Sequence, residues 1–259
     1  MPASARLLRI GAVIAATTIL LSGCSASQPS DDAPPSPTPS ATAAEAVVTQ
    51  NGAPIAGTGT AMLPGLAFPI PDGDFRSVTL AVDCVGDATF QVGVDDPRGE
   101  GLTLQRGTCG DTATFEWPLT PATAGSLTVV IAEGVAWSVT PTFSTAAFVV
   151  DPLIAEDCAA YSTAYGLIYN ADIGYTRYDD VDETEWNERI DTAVGSLADL
   201  ADSSSSRLAE SFAELVPILR NPQRVLGDAM SSIGAQNSAI SESCSANQSP
   251  LRFDADYGA

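Results

Sequence analysis

Cysteines, carboxylates and a few loop tyrosines are the residues of this chain whose types and spacing could support chemistry. Two residue types are missing altogether: the 259 residues include no histidine and no lysine. Nucleophile systems that use an imidazole base are therefore excluded, as are serine–lysine pairs and Schiff-base chemistry. The stretch "GTGTAMLPG" has neither the spacing nor the following helix of a phosphate-binding loop. The densest acidic run is "YDDVDETEW", in which Asp179, Asp180 and Asp182, followed by Glu183 and Glu185, are candidate calcium ligands. Calcium takes several carboxylates from a flexible loop, but the run lacks the glycine and the distant bidentate glutamate of an EF-hand. A solvated loop leading into a helix N-terminus, where negative charge is favoured, accounts for it as well. Asp95, Asp96 and Glu100 on a hairpin loop are a second calcium candidate, for which a plain turn is the simpler account. Two carboxylates could run glycoside hydrolysis, but among 32 acidic residues a neighbouring pair singles out nothing. Tyr169, Tyr175 and Tyr178 flank a connection between two expected helices and are candidate ligand-binding aromatics, able to stack on sugars or grip a protein. No cofactor is expected.

The five cysteines divide into one and four. Cys24 closes a segment that starts with Arg6 and Arg9 and continues through an apolar core from Ile10 to Leu21. That core is little more than half of the roughly 20 residues a membrane span needs, so residues 1–23 read as a cleaved export signal. Leu21-Ser22-Gly23-Cys24 resembles the lipobox of bacterial lipoproteins. The resemblance implies a diacylglyceryl group on the Cys24 thiol and cleavage between Gly23 and Cys24. Two or three acyl chains hold a protein on a membrane stably, which one chain does not. The expected location is therefore the extracytoplasmic side of a cell membrane, with the lipid as the membrane contact.

The other four, Cys84, Cys109, Cys158 and Cys244, belong in an oxidising compartment where disulfides persist. With no histidine and no close Cys-x-x-Cys pair, zinc is a poor alternative. Three pairings are open to four cysteines; the domain reading below favours Cys84–Cys109 and Cys158–Cys244. A net charge of −21 argues against a nucleic-acid partner and against direct docking on anionic headgroups. An envelope protein or a carbohydrate is the partner class left open.

Elements follow from composition and period. Residues 24–46 are rich in Pro, Ser, Thr and Ala and read as a disordered tether. Residues 47–150 alternate in the manner of half-buried strands: Val78, Leu80 and Val82; Phe90, Val92 and Val94; Ala113, Phe115 and Trp117; Leu127, Val129 and Ile131; Val135, Trp137 and Val139. They predict an antiparallel β-sandwich or jelly-roll-like domain. Residues 151–245 switch to helical steps. Asp151-Pro152 and Asp182 with Glu185 are helix starts. The stripes are Ile154, Cys158, Tyr161, Tyr165 and Ile168, then Trp186, Ile190, Ala193, Leu197 and Leu200. Leu208, Phe212, Leu215 and Leu219 form a third, with Pro217 expected to kink or shorten its helix. A fourth is expected from Asn221-Pro222, through Leu226, Met230, Ile233, Asn237, Ile240 and Cys244. Asn237 on that stripe would set helix register or line a polar pocket. Four helices running up and down bring Cys158 and Cys244 to one end, whereas three would separate them by a helix length. Residues 246–259 are left as a tail.

The expected protein has an all-β domain followed by an all-α four-helix bundle, and is a lipid-anchored envelope protein acting as a non-enzymatic binding module. A carboxylate-based hydrolase of cell-wall polysaccharide and a calcium-dependent binding protein are the alternatives.

Overall fold

A computed structural model describes residues 46–60, 65–95, 103–121, 123 and 125–257. The export signal, Gly23 and Cys24, the tether apart from Ala46, and the loop acids Asp96 and Glu100 lie outside the described residues.

The first half forms two antiparallel sheets. Its strands are β1 (Thr49–Asn51), β2 (Ile55–Thr58), β3 (Leu66–Ala67), β4 (Ser77–Cys84), β5 (Thr89–Asp95), β6 (Gln105–Thr108), β7 (Ala113–Pro118), β8 (Ser126–Ile131) and β9 (Ala136–Ser144). One sheet has the order β1-β9-β4-β7, with β2 also pairing β9, and the other has the order β3-β8-β5-β6. Alternation in β4 puts Val78, Leu80 and Val82 inside, where they meet Phe90 and Val92 of β5 and Val139 and Phe143 of β9 in one apolar core. Trp117 and Trp137 are buried there too, and the Trp117 indole donates to the Thr103 carbonyl at 3.1 Å. Cys84 and Cys109 form a disulfide, their Cα atoms 4.9 Å apart. It ties the end of β4 in one sheet to the residue after β6 in the other.

The second half is helical: α1 (Pro152–Ile173), α2 (Glu183–Ser203), α3 (Ala209–Leu219), α4 (Ala229–Ser232) and α5 (Gly234–Ala246). Asp151 caps α1 by accepting from the Leu153 and Ile154 amides, and Asp182 caps α2 by accepting from the Glu185 amide at 2.9 Å. A five-residue π turn, Gly174–Tyr178, extends α1 and ends at Asp179, whose φ is 55°. The predicted helical stripes line one core in which Tyr161, Ile168, Trp186, Ile190, Phe212 and Leu215 are fully buried. Burying each such side chain is worth about 1.5–3 kcal/mol.

The sequence pattern predicts four helices, and the described residues hold five α-helices. The expected start at Asn221-Pro222 is instead a turn in which Asn221 Oδ1 accepts from the Gln223 amide. Gly227 has φ +75°, which a helix cannot carry, and a Cβ there would lie 2.4 Å from Thr176 Cγ2. The stripe then divides at Ile233 into α4 and α5. Pro217 sits two residues before the end of the 11-residue α3, so the expected shortening is seen.

Cys158 near the start of α1 and Cys244 near the end of α5 form the second disulfide, with Cα atoms 5.8 Å apart. The chain after α5 does not leave the surface. The Asn247 side chain accepts from the Asp151 amide and donates to the Asp151 carbonyl. The following residues run back along α1. The Arg252 amide donates to Ser162 Oγ, and the Asn170 side chain pairs with both the Asp254 carbonyl and the Asp256 amide. Phe253 lies against Tyr165 and Tyr169, with ring centroids 5.2 and 5.0 Å away. Gly166 leaves the room, since a Cβ there would meet Phe253 Cβ at 3.1 Å.

Asp172 is the polar centre of the helices. It is buried on α1, accepts from the Trp186 indole at 2.8 Å and accepts from the Met230 amide at 2.7 Å. The one carboxylate thus joins α1, α2 and the first turn of α4. Arg224 covers the same indole, 5.4 Å from its centroid, and ion-pairs with Asp191 at 2.9 Å.

Two outcomes are expected from these ties. The chain-entropy model assigns ~3.5 kcal/mol to the disulfide of separation 25 and ~4.6 kcal/mol to that of separation 86. Urea unfolding of the two paired Cys→Ser variants should rank Cys158/Cys244 as the costlier loss; the reverse order would contradict this. Burial, followed by the nearby Asp228, holds the Asp172 pKa above its usual value, while the Met230, Trp186 and Ala229 N–H groups pull it down. A raised folded-state pKa gives stability that is present at low pH and lost as pH rises through that pKa. The unfolding free energy of the wild type minus that of Asp172→Asn should therefore fall as pH is raised from about 4 and then level off. A difference that rises with pH contradicts this reading.

Candidate functional site

The edge of the sheets and the last helix meet in a cleft. Its walls are β6, β7 and α5, and α5 lies against β6. Three charged side chains define it: Arg106 on β6, Arg207 on the connection between α2 and α3, and Glu242 on α5. Arg106 Nη1 is 3.9 Å from Glu242 Oε1, and both side chains are about half exposed, 46% and 49%. Such a pair contributes about 0–1 kcal/mol, so it orients the two groups without locking them. Arg207 is exposed, and no ion pair or hydrogen bond to it occurs among the described residues. Phe115 of β7 supplies apolar surface, its ring edge-on to the buried Phe90 at 5.9 Å. The cavity measures about 520 Å³. A second cavity of about 200 Å³ shares Arg106 and Glu242 and is otherwise lined by Gln91, Leu104, Asn237 and serines of α5.

What holds the walls is more rigid than the ion pair. The α2–α3 connection, residues 204–208, is "SSSRL", and serines of this kind leave helical bonding for turns and caps. Ser204 and Ser206 each donate a hydroxyl hydrogen bond of 2.5 Å to the carboxylate of Asp157, a buried residue of α1. Ser206 Oγ also accepts from the Leu208 amide at 3.0 Å. Arg207 thus projects from a turn fastened to α1 on one side and α3 on the other. Next to Asp157 in sequence is Cys158, whose disulfide reaches Cys244 on α5, between Glu242 and Ala246 of the cleft. On the opposite wall the Gln105 side chain donates to the Glu116 carbonyl at 3.0 Å and joins β6 to β7. Gln248, just past α5, donates to the same carbonyl at 3.3 Å.

The candidates read from the sequence lie elsewhere. Asp182 is occupied as the cap of α2, and Asp179 closes the π turn in left-handed backbone. Among the described residues, no three Cys, Asp or Glu side chains gather in a metal-holding arrangement. Tyr169 packs on Phe253, and Tyr175 packs against the helical core. Tyr178, 46% exposed, stacks on Tyr257 at 5.1 Å. The three tyrosines therefore meet the returning C-terminal segment and the helical core, and none of them lines the cleft. Asn237 accepts from the Tyr161 hydroxyl at 2.9 Å, with its own side chain on the smaller cavity. Burial, then the neighbouring Tyr165, pushes the Tyr161 pKa well up, so this hydroxyl stays a donor.

No family model and no curated protein matches the chain. A solved structure described as "Bacillus endospore appendages form a novel family of disulfide-linked pili" is similar over 38% of this chain and 86% of that one, at 11% identity and a TM-score of 0.29. Among the described residues, no helix is long and apolar enough to cross a membrane.

Replacing Asp157 by alanine removes the acceptor of two part-buried hydroxyls and should cost about 1–3 kcal/mol of stability. Unchanged urea unfolding of Asp157→Ala would show that the turn carrying Arg207 is held by something else.

Proposed function

We propose that this chain is a lipid-anchored cell-envelope protein whose folded part, from residue 46 onward, is a non-enzymatic binding module. The anchor is the observation that carries the proposal: Leu21-Ser22-Gly23-Cys24 at the end of an apolar run, followed by a proline-rich segment. Two disulfides, Cys84–Cys109 and Cys158–Cys244, suit an exported chain in an oxidising compartment. The cleft between the sheets and α5 supports binding, because it offers charged and apolar groups on firmly held walls.

In the same reading the two sheets make a jelly roll. Its support is the nesting of pairs: β2 with β9, β3 with β8, β4 with β7 and β5 with β6, as in one long hairpin folded over. Rolling that hairpin brings β9 beside β4 and β8 beside β5, the remaining central pairs. The helices are read as an up-down bundle of α1, α2, α3 and α5, with α4 as a single turn in the last connection. The support is a closed ring of neighbours, in which α1 packs on α2, α2 on α3, α3 on α5 and α5 on α1.

Fractionation of producing cells tests the anchor. The wild type should sediment with membranes and come off only in detergent, and Cys24→Ser should release it to the soluble fraction. A wild type found soluble and without lipid on Cys24 by mass spectrometry would overturn the proposal.

A further inference from the structure

Building on the binding-module reading, we propose that the cleft lined by Arg106, Arg207 and Phe115 binds an anionic saccharide, a sugar ring bearing a carboxylate or phosphate. The first argument is charge. The chain has 11 basic residues, all arginine, against 32 acids. Arg189 is held by Glu185 and Asp256, and Arg224 by Asp191 and Asn187. Arg76, Arg177, Arg220 and Arg252 also make no ion pair among the described residues, but Arg106 and Arg207 face one cavity together, the former in a long, half-exposed pair and the latter with no partner among the described residues. A guanidinium presents a planar fork of donors that matches the two oxygens of a carboxylate or phosphate. Both line the same cavity, so an oxyanion bound there meets two positive charges.

The second argument is the apolar wall. Phe115 is part-buried and lines the same cavity as the two arginines. A ligand that fits both features has an anion at one end and a face of C–H groups at the other, as a charged sugar does. Glu242 accepts a sugar hydroxyl once Arg106 turns to the anion. The volume of about 520 Å³ falls within the roughly 300–1,000 Å³ typical of small-molecule sites. The net charge of −21 opposes anions at a distance. At physiological salt that field is screened beyond about 8 Å, whereas the two arginines would touch the ligand. A nucleic-acid strand would lay many phosphates over the acidic surface outside the cleft, and the same charge disfavours it.

Calorimetric titration of the full-length protein in detergent tests the assignment with four probes: trigalacturonate, glucose 6-phosphate, neutral maltotriose and inorganic phosphate. At least one charged saccharide should bind saturably and maltotriose should not; whichever charged sugar binds identifies the oxyanion. Arg207→Ala should weaken binding at least tenfold with an unchanged circular dichroism spectrum, and Arg207→Lys should restore part of it. Phe115→Leu should weaken the charged saccharide while leaving any weak response to inorganic phosphate alone. The proposal is overturned if neither charged sugar binds, if inorganic phosphate binds as tightly as the sugars, or if Arg106→Ala and Arg207→Ala both bind like the wild type. Maltotriose binding that ignores both arginines would overturn the anion assignment while keeping a saccharide-binding module. The membrane fractionation of Cys24→Ser is independent of every one of these results.

Discussion

The Cys158–Cys244 bond is the constraint on which the helical half and the cleft depend. It joins the second turn of the first helix to the last turn of the final one, with Cα atoms 5.8 Å apart across a sequence separation of 86. A cross-link of that span removes much of the freedom of the unfolded chain. Its position matters as much as its span. On one side lies Asp157, which fastens the serine turn carrying Arg207; on the other lies Asn247, which pairs with the backbone of Asp151 and turns the chain back along α1. One covalent bond therefore sets the start of α1, the end of α5, the α2–α3 turn and the path of the C-terminal segment.

The two halves have their own apolar cores, and polar side chains make contacts between them. Arg106 with Glu242 and Gln248 with the Glu116 carbonyl are the named contacts, beside the packing of α5 on β6. Neither contact is worth much alone. Each half contributes half of the cleft, since Arg106 and Phe115 come from the sheets and Arg207 and Glu242 from the helices. The Cys84–Cys109 bond stiffens the sheet side just beyond β6, as the second disulfide stiffens the helical side. The two cross-links thus back the two walls.

Much of this framework is legible in the chain because it rests on period. Strict alternation marks β4, β5, β7, β8 and β9, and steps of three and four residues mark the buried faces of α1, α2 and α3. Those assignments favour, among the three possible pairings, the two disulfides that the structure shows. The strands that escape sequence reading are β1, β2, β3 and β6, which are two to four residues long. Segments so short show no period, and "QRGT" of β6 has no apolar residue to alternate. The expected fourth helix shows the opposite failure, a valid apolar stripe broken by backbone that Gly227 puts in left-handed space. The C-terminal return is hidden because Phe253 and Tyr257 sit among polar and acidic residues, and the backbone of Asp254 and Asp256 is held by the Asn170 side chain. The cleft is invisible to any motif: Arg106 and Arg207 are brought together by tertiary packing, and the one hint in the sequence is that basic residues are scarce.

Hydrogen exchange before and after selective reduction of Cys158–Cys244 is the most direct measurement of this scaffold. The account predicts that amides of residues 204–208 and 243–248 lose protection together on reduction, while those of β4 and β9 keep theirs. Unchanged protection of 204–208 beside an opened end of α5 would contradict it, because the wall bearing Arg207 would then stand without the bond said to fix it.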